Sequence, residues 1–185
     1  MAIVTDNLVI GRCMKCASQW LETIMKEVCP TAQMHESYSQ LNSVDLPDRL
    51  NVFFVRHPLA WYASYWAYRE RYGWVSGGDA VSGRELDAFR ADTFDAFIEN
   101  VLSSYPYLSY LYDFQMGGRA DRVGTVENLR HDLMTFLLES KTPFEELAIL
   151  GEPKVNVSDS LPLWNRGLAE KMLKHEKYVV QRWYR

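Results

Sequence analysis

LVIGRCMKCASQWL, residues 8–21, decides the fold, because a short apolar strand, a polar turn carrying Lys15 and the start of a helix follow one another directly. Such a junction aims backbone N–H groups and one ammonium at a bound anion. The stretch NVFFVRHPLAWYASYW, residues 51–66, is another apolar strand, which ends in Arg56 and runs into a helix opened by a proline, with Ser64 two turns along it. Two such junctions in one parallel sheet predict a site for a ligand with two separate anionic groups, such as a nucleotide-like cofactor.

Apolar periodicity extends this pattern along the chain. It predicts strands at 8–10, 32–35, 50–55 and 122–126, and helices at 17–28, 58–72, 93–104, 129–138 and 167–183. Thr93 is the expected N-cap of the third helix. The polar, glycine-containing segment 73–92 is either a lid or substrate loop or an ordinary solvated loop. Alternating strands and helices predict one α/β domain over residues 1–185, a three-layer α/β/α sandwich around a central parallel sheet.

Composition excludes several classes of protein. The net charge of −4 argues against a nucleic-acid-binding module, which normally carries a basic face. The sequence has neither an apolar run long enough for a membrane span nor a secretory signal pattern at its start, so we expect a cytoplasmic protein without a membrane partner. Aromatic residues make up 14% of the chain, which fits a groove lined with rings or an aromatic core equally well.

The two junctions resemble the cofactor site of sulfotransferases that use 3′-phosphoadenosine 5′-phosphosulfate (PAPS). The sequence KCASQWL, residues 15–21, resembles the 5′-phosphosulfate loop of that family, whose usual form is Lys-Ser-Gly-Thr-Thr-Trp-Leu. Arg56-His57-Pro58 followed by Ser64 resembles the family's 3′-phosphate segment. DRVGTVENLRHDL, residues 121–133, and KVNVS, residues 154–158, resemble later segments in the same order.

This resemblance implies a P-loop-kinase-like fold in a short bacterial, viral or carbohydrate-type member of the family. The donor would be PAPS and the product 3′-phosphoadenosine 5′-phosphate (PAP), with no metal required. The acceptor would be a small molecule or glycan offering a hydroxyl or amine. The chain leaves the acceptor and the oligomeric state open.

The resemblance also implies roles for individual residues. Lys15 would stabilise the negative charge that develops on the bridging oxygen of the donor. His35 and Glu36, at the end of the second predicted strand, are alternative general bases, and the sequence leaves the choice between them open. The residues expected to bind the cofactor are Arg12, Lys15, Cys16, Ala17, Ser18, Gln19, Trp20, Arg56 and Ser64.

The loop departs from the family pattern at four positions, one of which is Cys16 in place of the usual serine. Ala17 replaces the usual glycine, and Ser18 and Gln19 replace the two threonines. An alanine is tolerable there if its φ angle stays negative. The departures leave room for a protein that keeps the fold and binds PAP without turnover.

Two other classes of enzyme compete with this interpretation. A P-loop kinase or NTPase would share the fold, but its G-x-x-x-x-G-K-[ST] loop requires a second glycine before Lys15 and a hydroxyl residue after it, where this chain has Cys16. Cys13-x-x-Cys16 between a strand and a helix is also the layout of a thioredoxin-like redox motif, although the order of elements differs. On either interpretation Cys16, at a helix N-terminus beside Lys15, is expected to be a reactive thiol.

Overall fold

The structure is a computed structural model, which describes residues 2–35, 48–74, 85–116, 118–153 and 160–184. It is a mixed α/β structure with a five-stranded open sheet and, within the described ranges, eight α-helices. Two compact units are distinguished: Met1–Arg56 with Gln115–Val157, and His57–Phe114 with Ser158–Arg185. The single domain expected over residues 1–185 stays a prediction.

The sheet belongs to the first unit and has the strand order β3-β1-β2-β4-β5. β2 pairs in parallel with β4, and β4 in parallel with β5, whereas β1 pairs antiparallel with both β2 and β3. Four of the five strands therefore point the same way. The strands are β1 (Ala2–Val4), β2 (Leu8–Gly11), β3 (Gln33–His35), β4 (Leu50–Val55) and β5 (Arg122–Thr125).

The expectation of a wholly parallel sheet is wrong because of β1, a strand that the sequence analysis missed. Only residues 5–7 separate β1 from β2, and a connection this short joins antiparallel strands, since parallel strands need a crossover of about a dozen residues or more. Thr5 Oγ1 accepts a hydrogen bond from the Leu8 backbone N–H at 3.0 Å and closes the turn. The other four strands were predicted to within one or two residues.

The core of the first unit lies on one face of the sheet, where alternate strand residues meet helices α1 (Ser18–Val28), α5 (Leu129–Glu139) and α6 (Glu146–Gly151). Trp20, Leu21, Ile24 and Met25 of α1 are buried there, as their helical spacing predicts. Gly124 of β5 makes this packing possible, because a Cβ at that position would lie 2.7 Å from Phe54 Cε1. Other buried members of the cluster are Ile3, Leu8, Ile10, Val52, Leu133, Phe136, Leu137 and Ile149.

The second unit is helical. It contains α2 (Pro58–Tyr72), a 3₁₀ helix (Glu85–Phe89), α3 (Phe94–Leu102), α7 (Arg166–His175) and α8 (Lys177–Trp183), and most of α4 (Tyr107–Met116). Thr93 caps α3 as predicted, accepting a hydrogen bond from the Ala96 N–H at 3.2 Å. The sequence analysis missed α4 and the short α6.

Aromatic side chains form much of the core of the second unit. Trp61 stacks on Tyr65 with ring centroids 5.3 Å apart, and Tyr65 stacks on Phe97 at 6.2 Å. Trp61, Tyr62 and Tyr65 have no solvent-exposed surface. For these residues the abundance of rings in the sequence reflects packing.

The segment 73–92, expected to be a polar loop, is in part ordered secondary structure. Its described residues include the 3₁₀ helix, whose Leu86 and Asp87 are buried. Arg69 Nε contacts Asp87 Oδ1 at 2.7 Å and ties this helix to α2. Residues 75–84 lie outside the described residues, so the lid interpretation stays a prediction for them.

Glu176 breaks the single helix expected over 167–183 into α7 and α8. Its carboxylate has no exposed surface and accepts hydrogen bonds from Tyr62 Oη (2.7 Å), from the backbone N–H groups of Leu108 and Ser109 (2.9 Å each) and from Ser109 Oγ (2.7 Å). These N–H groups belong to the first turn of α4 and have no acceptor within the helix. Glu176 therefore acts as an N-terminal cap for α4 from a distant part of the sequence.

No helix within the described ranges is long and apolar enough to cross a membrane.

Candidate anion-binding site

The loop from Gly11 to Ser18 joins the carboxyl end of β2 to the N-terminus of α1, as the sequence predicts. Lys15 has a φ angle of 61° and Ala17 a φ angle of 59°, both in the left-handed region. A left-handed residue beside a residue of negative φ turns successive backbone N–H groups toward one side, the arrangement of an anion-binding nest. The positive end of the α1 dipole adds to the attraction for an anion at this point.

Ala17 occupies the N-cap position of α1 with φ 59° and ψ 23°. We expected alanine to be tolerable at this position if its φ angle stayed negative, and the φ angle is positive. The left-handed conformation costs a non-glycine residue about 1–2 kcal/mol. Ala17 also carries no side-chain acceptor, so the first N–H groups of α1 receive no cap from their own N-cap residue. The backbone at this position has the conformation that a glycine would favour.

Arg56 lies beside this loop. It follows β4, the parallel neighbour of β2, and its Nη1 donates a hydrogen bond to the carbonyl oxygen of Lys15 at 3.1 Å. The structure thus brings the Arg56 guanidinium to the backbone of Lys15, two residues that the sequence had placed at strand ends of the same sheet. The contact also gives Arg56 a role in holding the loop.

Arg12 is built into the protein interior. Its Nη2 pairs with Glu22 Oε2 at 2.8 Å, and the Arg12 side chain is 4% exposed. The hydrogen bond from Lys26 and the nearby charge of Arg12 lower the pKa of Glu22. Glu22, which links the loop to α1, was missed by the sequence analysis, although its position four residues before Lys26 on one helix face suggests an ion pair.

Three further residues that were expected to bind the cofactor lie at the start of α1 and differ in burial. Trp20 is buried in the core, where Arg130 lies over its ring with 5.6 Å between Cζ and the ring centroid. Ser18 is half-buried and Gln19 is exposed. The cofactor contacts expected of these three residues stay predictions.

Cys13 and Cys16 are both about 1% exposed, and neither is in a disulfide. Burial raises the pKa of Cys13 well above its usual value, and a hydrogen bond with Cys16 acts in the same direction. Reactive thiols are typically accessible and of lowered pKa. The expectation that Cys16 reacts readily is therefore not supported, because its side chain is buried.

The candidate bases lie at the end of β3. His35 pairs with Ala2 of β1, and Ala2 in turn pairs with Gly11 of β2. Two strand spacings, about 10 Å, therefore separate the backbones of His35 and Gly11. The backbone of His35 lies at the same sheet edge as the loop, as expected. Glu36 lies outside the described residues.

Ser64, the last predicted cofactor residue, belongs to α2 in the second unit and is 6% exposed. Its predicted contact with a 3′-phosphate stays a prediction. Of the later segments that carry the resemblance, 121–133 forms β5, a 3₁₀ turn and the start of α5, whereas 154–158 lies outside the described residues.

Among the residues that the structure describes, no group of three or more His, Cys, Asp or Glu side chains could hold a metal ion.

Comparison with known proteins adds no assignment, because no protein-family model, curated protein or solved structure matches the chain.

Proposed function

We propose that this protein is a PAPS-dependent sulfotransferase, which transfers a sulfuryl group from PAPS to a hydroxyl or amine acceptor and leaves PAP. The observation that carries the proposal is the left-handed conformation of Ala17 at the start of α1. The resembled phosphosulfate loop has glycine at this position, the residue for which that conformation costs least. This chain has alanine where the resembled loop has glycine, but its backbone there has the conformation that glycine adopts most easily.

In this proposal the loop binds the 5′-phosphosulfate. Backbone N–H groups at the start of α1 supply hydrogen bonds and the positive end of the helix dipole. Lys15 adds a cation, which stabilises the negative charge that develops on the bridging oxygen during transfer. Cys16, Ser18 and Gln19 are proposed as further contacts of the cofactor. The donor supplies the sulfuryl group, and no metal is needed because Lys15 and the helix supply the positive charge.

Arg56 is the proposed partner of the 3′-phosphate. Its guanidinium can bind a phosphate through two parallel hydrogen bonds, and one of its N–H groups already reaches the loop. Ser64 is proposed as a second contact of the same phosphate. Arg12 supports the loop through its ion pair with Glu22.

His35 or Glu36 is the proposed base that removes the proton from the acceptor. The register of β3 supports this, since it brings the backbone of His35 to the loop's edge of the sheet. We propose a small molecule or a glycan as acceptor. The finer architecture, a three-layer P-loop-kinase-like sandwich, is part of the proposal. The parallel pairing of β2, β4 and β5 and the helices on one face of the sheet support two of its three layers, and the third layer stays a prediction.

Two observations weaken the alternatives. The burial of Cys13 and Cys16 and the raised pKa of Cys13 disfavour a thioredoxin-like thiol, which must be an accessible thiolate to attack a disulfide. The loop also lacks the second glycine and the hydroxyl residue after Lys15 that an NTP-binding loop uses.

Thermal denaturation with PAP, with Mg²⁺-ATP and with dithiothreitol tests the proposal. A ligand at about 100 times its dissociation constant stabilises the folded state by roughly 2.7 kcal/mol, which raises the melting temperature by several degrees. We expect this shift with PAP and a much smaller one with Mg²⁺-ATP. An equal or larger shift with Mg²⁺-ATP would favour the kinase alternative, and PAP binding without consumption of PAPS would indicate a binding protein.

Variants of the two loop cations separate their proposed roles. Lys15→Ala should lower the rate of PAPS consumption about a hundredfold or more with a modest effect on PAP affinity, because its interaction is made mainly in the transition state. Arg56→Ala should weaken PAP binding by about 1.5–3 kcal/mol, the usual range for a lost hydrogen bond to a charged group. Lys171→Ala, which removes an exposed lysine of α7, is the control. A Lys15→Ala rate within a few-fold of wild type contradicts the mechanism.

A further inference from the structure

The second unit contains a cavity of about 320 Å³, and none of its lining residues has been given a role in the proposed transfer reaction. It is bounded by the 3₁₀ helix, the end of α3 and the start of α4. Three rings line it, those of Phe89, Tyr105 and Tyr107, and Leu86 and Val101 add apolar surface. Its volume falls at the lower end of the range for small-molecule sites, roughly 300–1,000 Å³.

One polar pair sets the chemistry of this cavity. Tyr105 Oη donates a hydrogen bond to Glu85 Oε2 at 2.5 Å, and both residues line the cavity. The bond holds the carboxylate against the cavity wall and engages one of its two oxygens. Partial burial, and then the bond to Glu85, raise the pKa of Tyr105, so that the phenol keeps its proton and remains a donor.

The charge of the lining favours one kind of ligand. Among the described residues that line the cavity there is one carboxylate and no lysine or arginine. The faces of aromatic rings carry negative electrostatic potential, and they attract cations within about 6 Å of the ring centroid. A carboxylate beside several rings therefore attracts a cation and repels an anion such as a phosphate or a sulfate ester.

The rings also continue beyond the cavity. Tyr110 of α4 contacts Tyr105 edge-on with centroids 5.5 Å apart, and Phe114 stacks on Tyr110 at 6.0 Å. All three side chains are more than two-fifths exposed. These exposed rings provide further aromatic surface beside the cavity, and their accessible faces can contact a cation.

We propose that this cavity binds a small organic cation of the quaternary ammonium or alkylated amine class, held by the Glu85 carboxylate and the surrounding rings. The cation places its charge near Glu85 and its alkyl groups against the rings and against Leu86 and Val101. The residues that line this cavity belong to the second unit and the loop around Lys15 to the first, and the proposed ligand has the opposite charge to PAP.

Titration of the full-length protein with choline, followed by protein NMR or calorimetry, tests the proposal. The control ligand is 3,3-dimethylbutan-1-ol, which has the shape of choline with a carbon atom in place of the charged nitrogen. We expect saturable binding of choline, with an affinity at least about tenfold higher than that of the neutral alcohol. Equal affinities, or no saturable binding of choline, would overturn the proposal.

Variants locate the site. Glu85→Gln should weaken choline binding about tenfold, whereas Glu99→Gln, which removes the same charge from an exposed position of α3 outside the cavity lining, should leave it unchanged. Tyr105→Phe keeps the ring and should retain choline binding, and Tyr105→Ala should lose it. If Glu85→Gln binds choline as tightly as wild type does, the proposed site is wrong. This test does not depend on whether Tyr105→Ala folds. PAP binding should be the same in all four variants, which distinguishes failure of this proposal from failure of the sulfotransferase proposal.

Discussion

The first backbone N–H groups of α1 and of α4 have no acceptor within their own helix, and the two N-termini differ in what accepts from them. At α4 the first N–H groups bind the buried carboxylate of Glu176, which also accepts hydrogen bonds from Tyr62 and Ser109. At α1 the N-cap residue is Ala17, which has no acceptor in its side chain and a left-handed backbone. The start of α4 is capped by an anionic side chain of the protein itself, whereas the start of α1 has no side-chain cap from Ala17 and is the proposed site of an external anion.

This difference predicts that the two helix starts respond differently to mutation and to ligand. A carboxylate that accepts four hydrogen bonds without solvent contact stabilises the fold only while every donor is in place. A strained residue at a helix start lowers stability and persists at sites where the conformation serves binding. We therefore expect Glu176 to respond to mutation as a structural residue and the loop around Ala17 to respond to ligand.

The largest effect is expected for Glu176→Ala. Removing the carboxylate leaves two buried backbone N–H groups and two hydroxyls without their acceptor, and each unsatisfied buried group costs about 1–3 kcal/mol. Because hydroxyls can reorient, we expect a total loss of about 3–5 kcal/mol in the free energy of unfolding, measured by urea denaturation.

Glu170→Ala is the matched control for that experiment. Glu170 lies on α7 and is exposed, with a single ion pair to Arg166 four residues away. An exposed pair of this kind contributes at most about 0.5 kcal/mol. Equal losses for the two variants would contradict the contrast between the helix starts.

A second effect is expected at alkaline pH. Burial, and then the charge of Glu176 and the hydrogen bond to it, hold the pKa of Tyr62 well above its ordinary value. Below a pH of about 10 the phenol is protonated in both the folded and unfolded states. Above it only the unfolded phenol ionises, so this tyrosine's contribution to stability falls by about 1.4 kcal/mol per pH unit.

Urea denaturation of wild type and Tyr62→Phe between pH 7 and 11 measures this effect. The difference in stability between the two proteins should be constant from pH 7 to 9 and should then shrink as the pH rises. A difference that stays constant up to pH 11 would show that Tyr62 ionises equally easily in the folded state.

The smallest effect is expected for Ala17→Gly, which should raise the free energy of unfolding, whereas most substitutions lower it. Removing the Cβ relieves the left-handed strain, and we expect a gain of about 1 kcal/mol in the free energy of unfolding. Ala169→Gly, inside α7, should instead lower stability by roughly 0.5–1 kcal/mol. If both variants lose stability equally, the conformation assigned to Ala17 is wrong.

Local patterns were sufficient for the elements that form the candidate loop. The apolar runs of β2 and β4 and the helical spacing of Trp20, Leu21 and Ile24 are properties of consecutive residues. The sequence placed Lys15 and Arg56 at the carboxyl ends of strands in one sheet. Their contact also requires β2 and β4 to be neighbours, which sequence order does not show because β3 lies between them in the chain.

Other features were missed for definite reasons. β1 has three residues, too few to show alternation, and its antiparallel direction follows from its short connection to β2. The N-terminus of α4 carries no signal for its cap, because the capping carboxylate lies about seventy residues further along the chain.

The sequence by itself determined four of the five strands, the helices that follow β2, β4 and β5, the junctions that carry Lys15 and Arg56, and the resemblance that suggests a substrate. These depend on short-range periodicity and on residue type. Only the tertiary structure decided the φ angle of Ala17, the burial of Cys13 and Cys16, and the fourfold hydrogen bonding of Glu176. The φ angle depends on how the surrounding chain is packed, and the burial and hydrogen bonding depend on which distant residues contact these side chains. Residues adjacent in sequence fix neither.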